Sequence, residues 1–489
     1  MQNSLVMEKV DKLIILILIF SFLIRVTFLI YSPLRGWDET VYLNLGYHLS
    51  KNPFDYSLKN SGWNDFIPST DIKYGWPNIG FRAPLLPYIL SVFYSLNLFF
   101  LIPIIVPFIG TLSVFLSYIL GGKLFSKIVG LYSAILFSLI PIHVYSSGKI
   151  WTDTLVVFFV LLTLISFWEG YEKENVKYKV LFGLFLALAI MARYTSLWMV
   201  PIFFVYFLIR DNSLKFLKDK YLWYAIGIFS LTLFPWFAYG FVYYGNFLGA
   251  FIHGYKAAGY WGGTQPWSFF LENSWKIFSI VGILSIISFL YILIKKEFLR
   301  REIYFLLILI VFFSSIVLAM PHKEVRFIMP IVPVICLISG FFIDKLKKYK
   351  NVVFGIVCIV LTTSLWGIFK VEYNNAYAGI NLCFLRGNEF LTIDSIDKNS
   401  LIITNQLPIV YYYTKKDVHL YPDQWDLVKF RNILDSNYQD RKIYFFYENY
   451  ELIDDNIKKD LDYNFKKVFE CMEGWGNSTI YELMLRKNQ

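Results

Sequence analysis

Charged residues are scarce in this sequence. Asp, Glu, Lys and Arg make up 17% of its 489 residues, whereas hydrophobic residues make up 57%. A soluble domain of ordinary composition carries about a quarter charged residues. The scarcity of charge, together with a mean hydropathy of +0.51, excludes an ordinary soluble globular protein and predicts a polytopic α-helical membrane protein.

Cysteine and histidine are also rare, with four cysteines and five histidines in the whole chain. Their spacing matches no metal-binding motif, so we predict no cofactor; a divalent metal is compatible with the sequence, but nothing in it supports one. A disulfide between Cys383 and Cys471 is compatible with their positions, although no pattern requires it. No glycine-rich phosphate loop is present, which argues against a nucleotide site.

Apolar segments long enough to cross a bilayer recur along residues 1–370. The first is predicted to be a retained anchor, because its apolar run is too long for the core of a signal peptide. Residues 85–99 form a short segment that we predict to lie at the membrane interface. Eleven spans are then predicted, at residues 13–31, 101–120, 128–145, 154–170, 180–193, 195–209, 222–243, 275–294, 303–320, 328–343 and 352–369.

The distribution of Lys and Arg gives the predicted orientation of these spans. The five turns assigned to the cytoplasm hold 17 Lys and Arg, whereas the four short connections on the opposite side hold 5. Because cytoplasmic loops carry an excess of positive charge, we predict a cytoplasmic N-terminus. The chain would be a multi-pass cell-membrane protein with its unusual polar segments and its C-terminal domain on the outer face.

Residues 371–489 are predicted to form a small soluble α/β domain outside the membrane. They carry 14 Lys and Arg against 18 Asp and Glu, so the excess of positive charge lies in the first 370 residues. This split reflects topology and gives no reason to expect a nucleic-acid partner. The residue pattern predicts strands at 400–404, 409–414, 418–421 and 442–447, a helix at 425–434, and a terminal hairpin of residues 467–472 and 479–485.

An acidic pair, Asp38-Glu39, follows the first span. Ionised side chains at a membrane boundary are costly unless they are solvated, paired or functional. The run from Asp38 to Leu49 predicts an amphipathic helix along the outer interface, with Tyr42 one turn after Asp38. A carboxylate at the start of this helix could act as a general base on an acceptor hydroxyl or amine. The alternatives are that this acid is an exposed first-turn helix carboxylate after a turn, or that Asp38 is a helix N-cap.

Three further charged residues lie at the predicted outer ends of spans. Arg82 precedes the interfacial segment, and Arg193 lies in a very short turn between two spans. Either guanidinium could clamp a phosphate in a bidentate contact, or it could snorkel to the headgroups without a catalytic role. Asp153 opens a span, where an acid also suits the positive end of a helix.

The turn at residues 322–326 concentrates ionisable groups, with His322, Lys323, Glu324 and Arg326 between two long apolar spans. Solvation of a loop explains one or two such residues but explains four less well. Lys323 and Arg326 would neutralise a phosphate or diphosphate, and Glu324 would position them. In the preceding outer loop, His253 and the aromatic, glycine-rich run at residues 261–267 could stack on a sugar or close as a lid. An interfacial aromatic belt explains the same composition.

Together these features resemble the lipid-phosphate-sugar-dependent glycosyltransferases of the C superfamily, in particular the branch of protein O-mannosyltransferases and aminoarabinose transferases. The resemblance covers the layout of residues 1–370. It is carried by Arg25 in the first span, Asp38, Glu39 and Tyr42 after it, Arg82-Ala-Pro-Leu85, Asp153, Arg193 and the string from His322 to Phe327, which is similar to a motif of related lipid-linked mannosyltransferases.

The resemblance implies that Asp38 activates the acceptor and that Arg82 and Arg326 hold the lipid phosphate. It does not imply the zinc site of the aminoarabinose transferases, because those have an acid where this chain has Phe81. No β-trefoil domain is inserted, so a protein acceptor is not implied either.

We therefore expect an inverting glycosyltransferase that uses a polyprenyl- or dolichyl-phosphate sugar, with mannose or another hexose as candidates. Asp38 would be the base, with Glu39 nearby, and Arg193 or Lys323 would assist the phosphate clamp. The acceptor, whether glycan, lipid or protein, stays open. The alternative is a flippase or transporter of lipid-linked sugars, which would spread polar residues through its spans; here the charged residues lie at span ends.

Overall fold

The computed structural model describes residues 2–30, 36–58, 80–260, 264–379, 382–393, 396–404, 406–420, 441–448, 459, 461–463, 465–473 and 476–483. The chain falls into two compact units. Unit 1 comprises Met1–Tyr31, Phe81–Leu86 and Leu98–Glu372, and unit 2 comprises Ser32–Gly80, Pro87–Asn97 and Tyr373–Gln489. The predicted division at residue 370 differs, because it leaves the first loop with the membrane part.

Helices dominate the described part of the chain. In chain order they are α1 (Gln2–Ile30), α2 (Trp37–Lys51), α3 (Leu85–Ser95), α4 (Ile102–Leu124), α5 (Lys127–Ser138), α6 (Pro141–Ser147), α7 (Thr152–Phe167), α8 (Val176–Ala192), α9 (Met199–Asp211), α10 (Lys220–Tyr244), α11 (Gly249–Tyr260), α12 (Phe269–Glu272), α13 (Ser274–Phe278), α14 (Ile280–Ile294), α15 (Arg301–Ala319), α16 (Val332–Lys345), α17 (Lys350–Gly379), α18 (Leu382–Thr392) and α19 (Leu407–Thr414).

Unit 1 is a helical bundle built around α7, which is buried along most of its length and packs against α4 and α8. Within the described residues, six helices are long and apolar enough to cross a membrane, or seven if the bent pair α5–α6 is one span. The chain is thus a multi-pass membrane protein, as its composition predicts. The count of eleven spans stays a prediction.

Two breaks in the helices of unit 1 position its polar residues. Helix α8 ends at Ala192, and Arg193 takes an extended backbone conformation before a 3-10 helix at Tyr194–Trp198. Helix α15 ends at Ala319; Met320 is extended, as residues before a proline usually are. A second 3-10 helix, Val325–Ile331, then leads into α16 and packs against α7.

Unit 2 contains a five-stranded mixed sheet with helices packed on it. Its strands are β1 (Leu401–Thr404), β2 (Asp417–Leu420), β3 (Ile443–Glu448), β4 (Phe465–Glu473) and β5 (Gly476–Leu483), in the order β2-β1-β3-β5-β4. Strand β1 is parallel to β2 and β3, whereas β5 is antiparallel to β3 and β4. A disulfide between Cys383 and Cys471 joins α18 to β4. The predicted small α/β domain is confirmed.

One predicted strand is wrong. Residues 409–414 belong to helix α19, although their β-branched and aromatic residues favour a strand. Pro408 lies in the first turn of the helix, where its missing N–H is tolerated, and residues 407–411 are buried. The environment of this segment in unit 2 therefore overrides its local propensity. The other predicted strands and the hairpin are present; the predicted helix at 425–434 lies outside the described residues.

Helix α2 is more enclosed by protein than the amphipathic interfacial helix that its sequence predicts, because ten of its fifteen residues are buried. Its contacts within unit 2 explain this. Helix α19 packs against it, and Gly46 lets α3 approach so closely that a Cβ atom there would lie 2.7 Å from the Cβ of Leu90. Polar residues such as Asn44 and His48 are therefore enclosed by the protein itself.

Candidate active site

A buried carboxylate anchors the polar cluster of unit 1. Asp153 lies in the first turn of α7 and its side chain is 2% exposed. It forms an ion pair with Arg193, and its second oxygen lies 3.7 Å from the guanidinium of Arg326. The positive end of the helix also favours a carboxylate at this position. Asp153, Arg193 and Arg326 are far apart in the sequence and are thus brought together within unit 1.

Each arginine of this cluster is backed by an aromatic ring. The guanidinium carbon of Arg193 lies 4.7 Å from the ring centroid of Phe327, and that of Arg326 lies 4.4 Å from the ring of Trp151. Guanidinium groups stack on aromatic faces while their N–H edges stay available for planar acceptors. The two side chains are 17% and 14% exposed, so both are held largely out of water.

Glu324 joins the cluster from the turn before the 3-10 helix. It accepts a hydrogen bond from Arg326 Nε at 2.5 Å and lies 3.2 Å from His322 Nε2. Burial acts to raise the pKa of Glu324, but Arg326, Arg193 and the hydrogen bond from His322 together hold that pKa below its usual value. Glu324 is therefore a carboxylate that orients Arg326.

Lys323 is placed differently from the two arginines. Its ammonium donates to the backbone oxygens of Gln265 at 2.9 Å and Met320 at 2.6 Å, and the residue is 5% exposed. Lys323 thus ties the end of the outer loop to the start of the 322–326 turn, a structural role that the sequence did not indicate. The ion-paired cluster itself consists of two arginines, Arg193 and Arg326, and two carboxylates, Asp153 and Glu324.

The backbone of Arg82 contacts the residue next to Arg193. Its carbonyl accepts a hydrogen bond from Tyr194 Oη at 3.3 Å, and Tyr194 accepts one from Trp236 Nε1 at 2.8 Å. The guanidinium of Arg82 lies 5.3 Å from the ring of Phe81. Tyr194 directly follows Arg193 in the chain. Its hydroxyl therefore links the arginine cluster to the backbone of Arg82 and to Trp236 on helix α10.

His253 lies on α11, and its ring stacks on Tyr244 with centroids 4.2 Å apart. Burial and the charge of Lys256 lower the pKa of His253, so it is neutral at pH 7. Nearby, Gly254 allows close approach of α11 to Tyr194, because a Cβ atom there would lie 3.0 Å from that ring. Residues 261–263 of the predicted aromatic loop lie outside the described residues.

In unit 2, the acidic pair begins α2, but not as an N-cap. Gly36 is the N-cap, Asp38 lies in the first turn, and the Glu39 side chain accepts a hydrogen bond from the Gly36 N–H at 3.0 Å. This is one half of a capping box, because Gly36 has no side chain to supply the other half. Glu39 is 1% exposed and Asp38 is half-buried. The predicted N-cap role of Asp38 is therefore wrong. Tyr42, one turn further along, is 5% exposed.

A buried arginine in α1 is a feature whose partners the sequence did not reveal. Arg25 is 0% exposed; it donates to Ser21 O at 2.8 Å and lies 2.8 Å from His143 Nδ1 on α6. Gly110 makes room for it, since a Cβ atom there would lie 3.0 Å from Arg25 Nε. The sequence separation of 118 residues explains why no pattern links Arg25 to His143.

Among the residues that the structure describes, no group of three or more His, Cys, Asp or Glu is placed to hold a metal ion.

Part of the chain is similar in sequence to known mannosyltransferases. Residues 81–239 match the family model of dolichyl-phosphate-mannose-protein mannosyltransferases. The alpha-1,2-mannosyltransferase Alg9 of Drosophila melanogaster is 28% identical over 190 residues, which is 33% of this chain and 29% of that protein. The match thus spans less than a third of that relative.

Solved structures show the same fold over nearly the whole chain. ArnT from Cupriavidus metallidurans bound to undecaprenyl phosphate has a TM-score of 0.72 at 10% identity, covering 96% of this chain and 98% of that one. The oligosaccharyltransferase AglB from Archaeoglobus fulgidus, in complex with an inhibitory peptide and a dolichol-phosphate, has a TM-score of 0.58 at 14% identity, covering 89% and 69%. The resemblance to the glycosyltransferase C superfamily is confirmed. Of the glycosyltransferase C residues predicted here, Arg82, Asp153 and Arg193 lie inside the matched segment.

Proposed function

We propose that this protein is a membrane glycosyltransferase that moves a sugar from a polyprenyl- or dolichyl-phosphate donor to an acceptor at the outer face. The observation that carries the proposal is the pair of ring-backed arginines, Arg193 and Arg326, held by Asp153. Support comes from the mannosyltransferase family match and from two similar folds whose structures contain undecaprenyl phosphate or dolichol-phosphate. The comparisons give no support to the flippase alternative.

In this proposal Arg193 and Arg326 bind the donor phosphate. A guanidinium offers two parallel N–H donors to phosphate oxygens, and the aromatic rings of Phe327 and Trp151 limit its rotation. Because the cluster is largely shielded from water, its charges act through a lower effective dielectric. The departing lipid phosphate gains negative charge as the glycosidic bond breaks, so these donors stabilise the transition state. Lys323 adds a third positive charge, and Arg82 is the next candidate ligand.

Asp38 is the proposed general base. It takes a proton from an acceptor hydroxyl or amine, whose lone pair attacks the anomeric carbon while the bond to the phosphate oxygen breaks on the opposite face. This single displacement inverts the configuration at that carbon. Asp38 is half-buried whereas Glu39 is 1% exposed, so Asp38 is the more accessible carboxylate of the acidic pair. Tyr42, four residues later, lies on the same helix face and could contact substrate.

The proposed sidedness places the N-terminus in the cytoplasm and residues 371–489 outside. It is supported by the 17 to 5 distribution of Lys and Arg. The disulfide between Cys383 and Cys471 also supports it, because disulfides persist in oxidising compartments and are rare in the cytosol.

A donor panel tests the proposal. The protein in lipid nanodiscs is incubated with radiolabelled polyprenyl- and dolichyl-phosphate sugars, including mannose, and with membrane extract as the source of acceptor. We expect one donor to bind and its label to be transferred. Arg326→Ala should weaken donor binding, and Arg326→Lys should restore part of it, because a lysine cannot form the bidentate contact.

Arg300→Ala is the matched control, since Arg300 is 44% exposed and pairs with Glu297 away from the cluster. If no lipid-phosphate sugar binds or is consumed, the proposed reaction is refuted. If donor binds equally tightly to wild type, Arg193→Ala and Arg326→Ala, the phosphate clamp is refuted, and Arg82 becomes the next residue to test.

A further inference from the structure

Unit 2 contains a cationic, aromatic cluster that the proposed chemistry does not use. The ammonium of Lys415, just after α19, lies 5.1 Å from the ring centroid of Tyr47, 5.4 Å from that of Tyr411 and 4.8 Å from that of Tyr412. On α2, the ammonium of Lys51 lies 5.6 Å from the same Tyr47 ring. Two lysines therefore contact one aromatic ring.

Lys415 has no carboxylate partner among the described residues. Its polar contact is the side-chain oxygen of Asn44 at 3.4 Å. The acids on the nearby sheet pair with other cations: Asp417 with Arg441 and His419, Glu482 with Lys442, and Glu470 with Lys467. Lys415 is exposed, so an external anion can reach an ammonium that lacks an acid.

The backbone at Lys415 argues that its side chain is needed. Lys415 has φ 52° and ψ 22° and donates its N–H to Tyr411 O at 2.9 Å, which ends α19. Glycine is the usual residue at such a left-handed position, because a Cβ atom is disfavoured there. A positive charge near the C-terminal end of a helix is itself favourable, so the capping role and a binding role must be separated by experiment.

Lys415 lies close to His48 and Tyr411, and the charges of Asp55 and Asp417 act on these two neighbours. The two ring nitrogens of His48 each have a hydrogen-bond partner. Nδ1 lies 2.9 Å from Ser57 O, and Nε2 lies 3.0 Å from the hydroxyl of Tyr411. Burial lowers the pKa of His48 and also lowers the pKa of Lys415 to about 8. At neutral pH Lys415 is therefore the charged group, and His48 fixes the position of the Tyr411 ring.

We propose that Lys415 and Lys51, with the rings of Tyr47, Tyr411 and Tyr412, bind an anionic sugar that belongs to the acceptor. Tyrosine rings stack on the apolar faces of sugars, and an ammonium group pairs with a phosphate or carboxylate substituent. The identification of this sugar as part of the acceptor rests on the proposed transferase function. The binding site itself stands on the geometry of unit 2.

Competitive labelling of Lys415 tests the site without turnover. The whole protein in nanodiscs is treated with an amine-acetylating reagent, and acetylation is read by mass spectrometry. Lys415 should become reactive as the pH rises through about 8, whereas an ordinary lysine requires about pH 10.4. Glucose 6-phosphate and glucuronate should protect Lys415, while glucose and inorganic phosphate should protect it much less.

Direct binding of glucose 6-phosphate, measured by saturation-transfer NMR titration, completes the test. Lys415→Gly removes the cation but suits the left-handed backbone, so the fold should be retained; Lys415→Asn is a second variant that tolerates this conformation. Both should weaken binding about tenfold or more, since a hydrogen bond to a charged group is lost. Lys415→Arg should stay close to wild type, as should the control Lys442→Gln, which alters a lysine paired with Glu482.

Wild-type affinity in both Lys415→Gly and Lys415→Asn would overturn the proposal and leave Lys415 as a helix cap. Equal protection by inorganic phosphate would refute the sugar component. Because neither assay contains a lipid-phosphate donor, a failure of the transferase proposal would not change these results. Conversely, loss of this site would leave donor binding at the arginine cluster intact.

Discussion

Replacing Asp153 by asparagine tests the architecture of the arginine cluster most directly. Asn has nearly the same shape but no charge, so Arg193 loses its carboxylate partner. Removing one partner of a buried ion pair costs about 3–5 kcal/mol. Two features reduce this cost here. The side chains of Arg193 and Arg326 are 17% and 14% exposed, so water can partly solvate them, and Arg326 keeps its ion pair with Glu324. We therefore expect Asp153→Asn to lower the free energy of unfolding by about 2–4 kcal/mol.

The assay is denaturant unfolding of the protein in mixed micelles, followed by tryptophan fluorescence. A double-mutant cycle with Arg193→Gln should give a coupling free energy of about 0.5–3 kcal/mol, because the two residues are in contact. Asp11→Asn is the control: Asp11 pairs with Lys127 at 3.2 Å, but the two side chains are 55% and 43% exposed, so its loss should cost less than about 1 kcal/mol. Equal stability of Asp153→Asn and wild type, with no coupling, would refute this account of the cluster.

Three other outcomes are expected. Asp38→Asn should reduce turnover by about a hundred- to ten-thousand-fold with little change in donor affinity, whereas Glu39→Ala should mainly lower stability, by about 1 kcal/mol, through loss of the helix-end hydrogen bond; near-normal turnover of Asp38→Asn in a donor-saturated assay would remove it as the base. Gly110→Ala should destabilise the protein by about 1–3 kcal/mol, because its Cβ would lie 2.5 Å from the Oγ of Ser147, and an unchanged thermal midpoint would contradict that packing. Under mild reduction, Cys471 should react with an impermeant maleimide in intact cells; labelling only after permeabilisation would refute the proposed orientation.

The sequence predicted the helical membrane part and most of the C-terminal strands, because their hydrophobic patterns are long or strongly biased. It failed at residues 409–414, where β-branched and aromatic residues form a buried helix. Local propensity cannot anticipate which surface will cover a short segment, and here the packing of α19 against α2 decides.

The candidate site, too, was only partly predictable from the sequence. Charge placement predicted that Asp153, Arg193 and Arg326 would share one side of the membrane, but it could not show that Asp153 lies between the two arginines. Lys323 was predicted as a phosphate ligand; in the structure its ammonium is bound by two backbone oxygens. Backbone acceptors leave no signature in a sequence, because every residue carries one.

The lysine cluster was missed for a different reason. Lys415 follows a run of three tyrosines that the sequence assigned to a strand, in which neighbouring side chains alternate between two faces. As the end of a helix, the same run places Tyr411 and Tyr412 around one ammonium. An error in secondary structure thus concealed a group of residues whose chemistry is evident once the backbone is known.

Unit 2 is built from segments that lie far apart in the sequence, and this has a consequence for biosynthesis. Asn44 donates to the backbone oxygen of Pro408, 364 residues later, and His48 lies 3.0 Å from Tyr411 Oη, 363 residues later. The ribosome makes helix α2 near the beginning of translation, yet these partners emerge near the end. Such distant contacts close slowly, so the helix that carries Asp38 acquires its final surroundings only after the whole membrane part has been synthesised. A chain that terminates before residue 408 would insert its helices but leave Asn44 and His48 without these partners.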